Sequence, residues 1–393
     1  MSPIRVGLIG LTSEPAGLGQ GKWGVSAHLA SLHPSPHYEI VAVCNSSVES
    51  ARRSIEFHKL PASVKAYGRA EDLANDPNVE LVDVSIEVGK HLLAAKPALL
   101  AKKQVFVEWP LGASTAEAEE MLQLAKEANL KTLVGTQLCA DPWIAKAKQL
   151  VESGTIGRVT SSDVQISSPF GPVDTWTAEA EYYLDFESGG NEFHIFFAHC
   201  KFVHCIYDLC YADMHLWTVL SGFTYVLGEL ASLKSTFAVQ NPVVKLVSGK
   251  TGEVVNPEKR RTAPDHIFVQ GAMESGAMVS ISTRTPPQPI DGHSLRWLIT
   301  GSEGELELTT SGRGYQVGSN PRTLRVISKD GETRTIAWEQ DEPSHIKNVA
   351  PPGVNTARLF EAYALDKDCY SDFEKAVKLH KLLDRIAKDA GYM

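Results

Sequence analysis

The chain has 393 residues, of which 43% are hydrophobic and 22% are charged, a composition typical of globular proteins with room for one to three domains. Its formal net charge of −9 and its lack of any run of about 18 apolar residues argue against direct contact with nucleic acid and against a membrane span. Six cysteines without a signal-like N-terminus indicate free thiols in a reducing, intracellular compartment.

The first predicted element is a short apolar strand that ends in glycines. Residues 4–11 are apolar and β-branched, a polar, Gly-rich loop follows over 12–22, and 23–32 has the pattern of a helix. This order is typical of a dinucleotide-binding domain, because glycines admit a pyrophosphate and the helix N-terminus offers it free N–H groups. Gly7 and Gly10 fit the G-x-G-x-x-G motif, although the loop is longer than the motif allows.

Strands and helices alternate through the rest of the N-terminal part. Further strands are predicted at 38–44, 81–86, 104–108 and 130–135, and helices at 48–60, 70–75 and 90–102. Ser114 and Glu117 form the capping box of one more helix. This alternation predicts a parallel sheet with right-handed crossovers. Since ligands bind at the carboxyl ends of such strands, the loops after the first four strands are expected to share one crevice.

The second strand ends in Asn45, Ser46 and Ser47, where NAD-specific domains place an aspartate or a glutamate. A carboxylate there binds the ribose hydroxyls and repels a 2′-phosphate, so its absence leaves both NADP and NAD as candidate cofactors. Arg52 and Arg53 follow within reach of such a phosphate. The alternative is that both arginines lie on a solvated helix face.

From about Pro142 the pattern changes to a strand-rich region. A helix at 143–153 is followed by predicted strands at 159–167, 233–239, 266–271, 277–283, 294–301, 304–309 and 323–328. These strands alternate apolar and polar residues, as an antiparallel sheet with one covered face does. Two helices, at 356–363 and 372–389, complete the pattern. The predicted fold class is α/β plus α+β, with a Rossmann dinucleotide-binding domain over 1–142 and an open, mostly antiparallel sheet with flanking helices over 143–393.

The arrangement resembles the glucose–fructose oxidoreductase/inositol dehydrogenase (Gfo/Idh/MocA) family over nearly the whole chain. The resemblance rests on the first glycine loop and on further stretches that lie at Ile86 and His91, 106–110, 145–159, Gly189-Gly190 with His199, and 301–304. Within the family, 107–109, 263–266 and the long first loop are similar to the branch that contains the fungal galactose-regulon repressor.

The catalytic residues that the resemblance implies are only partly present. The family's Glu-Lys-Pro motif reads Glu108-Trp109-Pro110 here, so a neutral indole stands where an ammonium is expected beside the reacting hydroxyl. Ile195 replaces the Asp of a second motif, whereas its histidine remains as His199. The resemblance therefore implies His199, helped by His91, as the catalytic residues. The alternative for His91 is a helix-N-terminal residue that satisfies local backbone groups.

The resemblance implies NADP or NAD as the cofactor, and we predict no metal site. The residues expected to contact the dinucleotide lie in the first loop and at the ends of the predicted strands; they are Gly7, Gly10, Leu11, Thr12, Lys22, Trp23, Asn45, Ser46, Arg52, Ile86, His91, Glu108, Trp109 and Gln137.

The stretch of residues 200–224 is much longer than the short stretch that follows the histidine in the family pattern. One interpretation is a helical insertion whose cysteines serve as small apolar residues. Another is translated non-coding sequence, such as a retained intron. A metal site is the third, although paired C-x-x-C arms are missing among its candidate ligands Cys200, His204, Cys205, Cys210 and His215.

Two functions remain open at the level of the sequence. One is an NAD(P)-dependent oxidoreductase that acts on a sugar, a polyol or a related carbonyl compound, as most family members are oxidoreductases. The other is a non-catalytic transcriptional regulator that resembles the galactose repressor and uses NAD(P) as a signal. Both imply a sugar-like ligand, a cytoplasmic location and a homodimer or higher oligomer. A regulator would add a protein partner and a nuclear location.

Overall fold

The computed structural model describes residues 2–16, 21–167, 174–198, 220–249, 251–286, 289–311, 321–351 and 353–393. His199 lies outside these residues, so its predicted catalytic role stays a prediction. The same holds for most of the 200–224 segment, including all five of its candidate metal ligands, and for residues 17–20 of the first loop.

The strands of the described residues are short in the N-terminal part and longer in the C-terminal part. They are β1 Ile4–Ile9, β2 Tyr38–Cys44, β3 Lys65–Tyr67, β4 Leu81–Val84, β5 Gln104–Val107, β6 Thr132–Val134, β7 Val159–Ser167, β8 Thr175–Thr177, β9 Leu230–Ala238, β10 Val243–Val247, β11 Val254–Arg260, β12 His266–Met273, β13 Met278–Arg284, β14 His293–Gly301, β15 Gly304–Ser311, β16 Arg322–Ser328 and β17 Thr333–Thr335.

The α-helices are α1 Ala30–Leu32, α2 Val48–Phe57, α3 Ala70–Ala74, α4 His91–Leu100, α5 Thr115–Glu127, α6 Pro142–Glu152, α7 Leu220–Leu227, α8 Ser344–Lys347, α9 Val354–Ala364 and α10 Phe373–Asp389. Two π-helical segments occur at Gly24–Leu29, which leads directly into α1, and at Glu192–Phe197. Shorter 3-10 segments lie at Val88–Lys90, Gln137–Ala140, Ala178–Leu184 and Phe186–Ser188.

The N-terminal strands form one parallel sheet with the order β3-β2-β1-β4-β5-β6. The order reverses at β1, so the loops after β1 and β4 meet at the topological switch point, where dinucleotides bind in such sheets. This sheet confirms the predicted Rossmann architecture. The helix predicted from the capping box is also present as α5, with the Ser114 side chain accepting a hydrogen bond from the Glu117 backbone N–H.

The C-terminal strands form an eight-stranded sheet with the order β17-β16-β15-β14-β7-β13-β12-β9. Its neighbours are antiparallel except β7 and β13, which pair in parallel. A separate three-stranded sheet has the order β11-β10-β8. The mostly antiparallel sheet was predicted, whereas β3, β8, β10, β11 and β17 were not, because short or exposed strands carry little apolar alternation.

The chain divides into two compact units, one of residues 1–140 and 342–381 and the other of 141–341 and 382–393. The boundary predicted from the sequence lies at 142, and the predicted second domain includes residues 342–381, which the structure groups with the first unit. The reason lies in α9, which buries Phe360 and Tyr363 in the core of the first unit beside Phe106 of β5. Helical periodicity shows that α9 has an apolar face but not which core that face covers.

No helix among the described residues has the length and apolar character that crossing a membrane requires.

Candidate dinucleotide site

Gly10 ends β1 in a backbone conformation that other residues rarely adopt, with φ of +101°. A Cβ atom at this position would lie 2.4 Å from the backbone oxygen of Ser85, which follows β4. The Gly10 N–H donates to the carbonyl oxygen of Cys44 at the end of β2. Gly10 thus brings three strand ends together, and only glycine fits there.

Gly24 is a second close-approach glycine, and it was missed from the sequence. A Cβ atom on Gly24 would lie 2.6 Å from the backbone oxygen of Gly10, so the first turn of the helix packs directly on the β1 loop. Gly7, by contrast, faces the methyl groups of Leu73 inside the sheet. Gly10 and Gly24 therefore match the tight-turn glycine and the helix-packing glycine of the fingerprint, with an insertion between them, whereas Gly7 lies within β1 and does not fit the G-x-G spacing. In the sequence, Gly24 could have been identified as a close-approach glycine because it stands at the start of a helical pattern.

Asn45, predicted to face the ribose, instead holds the first loop. Its side-chain oxygen accepts a hydrogen bond from the Leu11 N–H at 3.1 Å, and its side-chain nitrogen donates to the Leu11 carbonyl at 2.7 Å. The Ser54 hydroxyl donates to the same carbonyl at 2.6 Å. The side chain of Asn45 thereby acts as a peptide-like partner that fixes the backbone just after Gly10.

The rest of the loop is attached to neighbouring side chains. The ring Nε2 of His58 lies 2.7 Å from the backbone oxygen of Thr12, and Lys22 pairs with Glu14 at 3.0 Å. Trp23 occupies the position before the π-helical segment. The structure places Leu11 and Thr12 just after β1, and it places Lys22 and Trp23 just before the helical segment whose first glycine packs on Gly10.

The end of β2 carries hydroxyl groups and exposed cations. Ser46 is exposed, and the Ser47 hydroxyl accepts a hydrogen bond from the Ser50 N–H as the cap of α2. Arg52 and Arg53 are both exposed. Both arginines therefore lie on a solvated helix face, which was the predicted alternative to phosphate binding. A phosphate can still approach either side chain.

A buried cluster of charged and polar groups connects β4, β5 and β6 with the first helical segment. The ring Nδ1 of His28 lies 2.8 and 2.9 Å from the carboxylate oxygens of Asp83, and its Nε2 lies 2.8 Å from Glu108. The Gln137 side-chain nitrogen donates to both oxygens of Glu108, at 3.0 and 3.2 Å. Glu108 and Gln137, predicted as cofactor contacts, therefore face this cluster.

The cluster holds His28 as an imidazolium. A neutral ring has one N–H and would present a lone pair to one of the two carboxylates, whereas the protonated ring donates to both. Burial lowers the pKa of His28, but Asp83 and Glu108 together raise that pKa to about 10. Burial raises the pKa of the Asp83 carboxyl, and His28 opposes the rise. Neither His28 nor Asp83 was predicted from the sequence, which offers no local signal for a pair so far apart.

Trp109 is buried, with 4% of its surface exposed, and its ring lies 4.7 Å from that of His380 in α10. The Trp109–Pro110 peptide bond is cis. The backbone next to Trp109 is attached to the β4 loop through His91, whose Nδ1 lies 2.8 Å from the Pro110 carbonyl and whose Nε2 lies 3.1 Å from that of Ile86. His91 is 1% exposed. This geometry supports the predicted alternative, in which His91 serves local backbone groups.

The second unit contains the position of the family's missing aspartate. Ile195 is 1% exposed and packs in an apolar cluster that includes Trp176, Tyr183 and Leu246. The residue is therefore part of a hydrophobic core.

Glu192, three residues earlier, is a buried carboxyl that sequence reasoning missed. Its Oε2 lies 3.3 Å from Nε of Arg261, and Arg261 also pairs with Asp265 at 3.2 Å. Burial raises the pKa of Glu192 to about 7, although Arg261 opposes the rise. Its carboxyl group thus titrates near neutral pH.

Two family profiles match the chain. The profile described as "Oxidoreductase family, NAD-binding Rossmann fold" (GFO_IDH_MocA) matches residues 16–136, and that of the Gal80p C-terminal domain matches residues 214–310.

Curated relatives include both enzymes and regulators. Dehydrogenase aclE of Aspergillus oryzae is 28% identical over 98% of this chain and 96% of its own length. The galactose/lactose metabolism regulatory protein GAL80 of Kluyveromyces lactis is 26% identical over 78% of this chain and 64% of its own length.

Solved structures share the fold. Gal80p of Kluyveromyces lactis, described as a transcriptional regulator, has a TM-score of 0.78 at 24% identity, over 99% of this chain and 92% of its own. An NAD-binding oxidoreductase of Klebsiella pneumoniae has a TM-score of 0.71 at 22% identity, over 100% and 97%. These similarities confirm a Rossmann unit joined to an open-sheet unit.

Proposed function

Because the chain belongs to the Gfo/Idh/MocA oxidoreductase family, close to its Gal80-like members, we propose that it binds a nicotinamide dinucleotide. We propose further that it uses the dinucleotide to oxidise or reduce a sugar, a polyol or a related carbonyl compound. The observation that carries the proposal is the close approach of Gly10, Gly24 and Ser85 at the switch point of the parallel sheet. Such backbone proximity leaves room for a pyrophosphate at the helix N-terminus.

The proposed cofactor is NADP, accepted at least as well as NAD. Support comes from the end of β2, where Asn45 is occupied with the Leu11 backbone and Ser46 is exposed. No carboxylate takes the ribose-binding position that follows β2 in NAD-specific domains, and the exposed Arg52 and Arg53 follow in α2.

In the proposed reaction the dinucleotide supplies hydride chemistry, and this chain supplies binding and orientation. The His28 imidazolium holds the Glu108 side chain in place, and His91 attaches the Pro110 backbone to the β4 loop. Trp109 has no charge to stabilise an alkoxide, so His199 is the proposed proton carrier. We expect turnover below that of relatives with the lysine.

The second candidate function is a regulator that senses the dinucleotide without turning over substrate. It is favoured by Trp109, a neutral residue at the lysine position, and by Ile195, an apolar core residue at the aspartate position. A regulator would work through a protein partner and in the nucleus as well as in the cytoplasm. Both candidates are proposed to act as homodimers or higher oligomers.

Titration with NADP(H) and NAD(H), followed by calorimetry and by nicotinamide fluorescence, tests the binding proposal. The Gly10→Ala variant is expected to lose at least tenfold in affinity, about 1.4 kcal/mol, because its Cβ would collide with the Ser85 backbone. The matched control is Gly89→Ala, since a Cβ there meets no atom within 4 Å. Wild-type protein that binds neither dinucleotide refutes the proposal.

The two candidate functions are separated by turnover. The wild-type protein is incubated with a panel of aldoses and polyols and with the corresponding carbonyl compounds, and oxidation or reduction of the nicotinamide is followed by absorbance. Steady turnover with any compound supports the oxidoreductase. Tight dinucleotide binding without turnover over the whole panel supports the regulator.

A further inference from the structure

Three metal-ligating side chains converge on the first unit, away from the dinucleotide crevice. The Nε2 of His345 lies 2.9 Å from Oε2 of Glu361, and the Nε2 of His37 lies 3.3 Å from the same oxygen. One ligand atom from each of the three residues lies within 4.8 Å of the other two. Two imidazoles and one carboxylate therefore face a common point.

The backbone on both sides of this cluster is fixed by contacts that do not involve the three side chains. The hydroxyl of Tyr38, the residue after His37, donates to the carbonyl of Phe360, the residue before Glu361, at 2.6 Å. The carbonyl of His37 accepts from the Ile4 N–H at 2.8 Å. The donor atoms of His37 and Glu361 are thus held near each other by β1, β2 and α9.

The third donor is positioned by apolar packing. His345 lies in α8, whose next residue, Ile346, is 3% exposed and packs with Val349 against Ala357 of α9. This packing places α8 beside α9, so the imidazole of His345 reaches the carboxylate of Glu361. The cluster is preorganised, so little of the free energy of ion binding would be spent on bringing the ligands together.

The distances fit a tetrahedral transition-metal ion. Zinc bonds of about 2.0–2.1 Å to imidazole nitrogen and carboxylate oxygen place neighbouring ligand atoms about 3.4 Å apart. The separations of 2.9 and 3.3 Å from Glu361 come close to that value, and the ligand nitrogens of the two histidines lie within 4.8 Å of each other. Two histidines and one carboxylate are a zinc donor set that leaves a fourth position for water. We propose that His37, His345 and Glu361 bind one Zn²⁺ ion per chain.

The site lies at the opposite end of β2 from the dinucleotide. His37 directly precedes β2, whereas Asn45 follows it. Zinc would join α8 and α9 to this end of the sheet and stabilise the first unit without occupying the crevice. This inference departs from the expectation, drawn from the sequence, of no metal site.

Calorimetric titration of chelator-treated protein with ZnCl₂ tests the site. We expect one equivalent of zinc to bind, the melting temperature to rise, and the His345→Gln variant to lose at least about 100-fold in affinity, since even outer-shell partners are worth 10–100-fold. His37→Gln is expected to behave in the same way. The matched control His33→Gln, an exposed histidine four residues earlier, is expected to bind like the wild type.

Cobalt distinguishes this site from the cysteines of the chain. Co²⁺ bound by His37, His345 and Glu361 gives visible d–d absorption without a thiolate-to-metal charge-transfer band, and the visible signal is lost in His345→Gln. The proposal is overturned if wild type takes up no zinc. It is equally overturned if His37→Gln and His345→Gln bind as tightly as the wild type, or if the cobalt spectrum shows thiolate ligation.

Discussion

The buried charge of His28 is expected to control the stability of the first unit. The side chain is fully buried, with a carboxylate of Asp83 or Glu108 at 2.8 Å from each ring nitrogen. In the His28→Gln variant both carboxylates stay buried and lose their cation. Removing one member of a buried ion pair costs about 3–5 kcal/mol because the charge that remains is uncompensated. We therefore expect the free energy of unfolding to fall by about 3–5 kcal/mol.

The pH dependence gives this prediction a second readout. The pKa of His28 is raised to about 10 in the folded protein, against about 6.5 for an unperturbed histidine. The stabilisation from His28 is therefore complete below about pH 6.5 and is lost progressively as the pH rises toward 10. Between pH 7 and 10, the unfolding free energy of the wild type should fall more steeply than that of His28→Gln.

Urea denaturation followed by circular dichroism at several pH values in this range measures both effects. His33→Gln is the control, because this exposed histidine lies on the same part of the chain. The reasoning is refuted if His28→Gln stays within about 0.5 kcal/mol of the wild type, the range of ordinary surface substitutions. It is also refuted if the two proteins have the same pH slope.

Two further substitutions test single contacts. Asn45→Ala should destabilise the protein by about 1–3 kcal/mol and weaken dinucleotide binding, because the Leu11 N–H loses its partner and the Leu11 carbonyl keeps the Ser54 hydroxyl but loses the Asn45 amide. Calorimetry and urea denaturation check this against the exposed His33→Gln, and equal affinities would contradict it. In the wild type, the free energy of unfolding should fall as the pH rises from about 4.5 to 7, because the raised pKa of the buried Glu192 carboxyl makes its ionised form unfavourable in the folded protein. The Glu192→Gln variant should not show this fall. Parallel curves of unfolding free energy against pH for the two proteins would contradict the prediction.

The parallel sheet was predictable because all of its strands except β3 carry their own signal. β1, β2, β4 and β5 are predominantly apolar runs, as is typical of strands in a parallel sheet, and turn residues separate them from helical patterns. The crevice followed from the same alternation through the rule for strand ends. The assignment of α9 to the first unit did not follow, since its partner Phe106 lies far away in the sequence.

The hydrogen-bond partners of the polar side chains in the site could not be predicted from the sequence. Asn45 was correctly located at the end of β2, but its side chain turns to the Leu11 backbone, a partner that no spacing rule reveals. The side chains of the His28 cluster come from four separate stretches of the chain, so no short stretch of the sequence contains two of them. A buried polar group requires a hydrogen-bond partner, but the sequence does not reveal which residue provides it.

Ile195, which stands where the family has a catalytic aspartate, has a structural role of its own. Its side chain has become part of an apolar cluster with Trp176 and Tyr183. An aspartate at 195 would bury a carboxylate among mainly apolar side chains, which costs folding free energy unless that carboxylate is paired. Trp109 is in a similar position, since its buried ring packs on His380. Trp109 and Ile195 are both buried and packed by neighbouring side chains, so a lysine at 109 or an aspartate at 195 requires the surrounding residues to change as well.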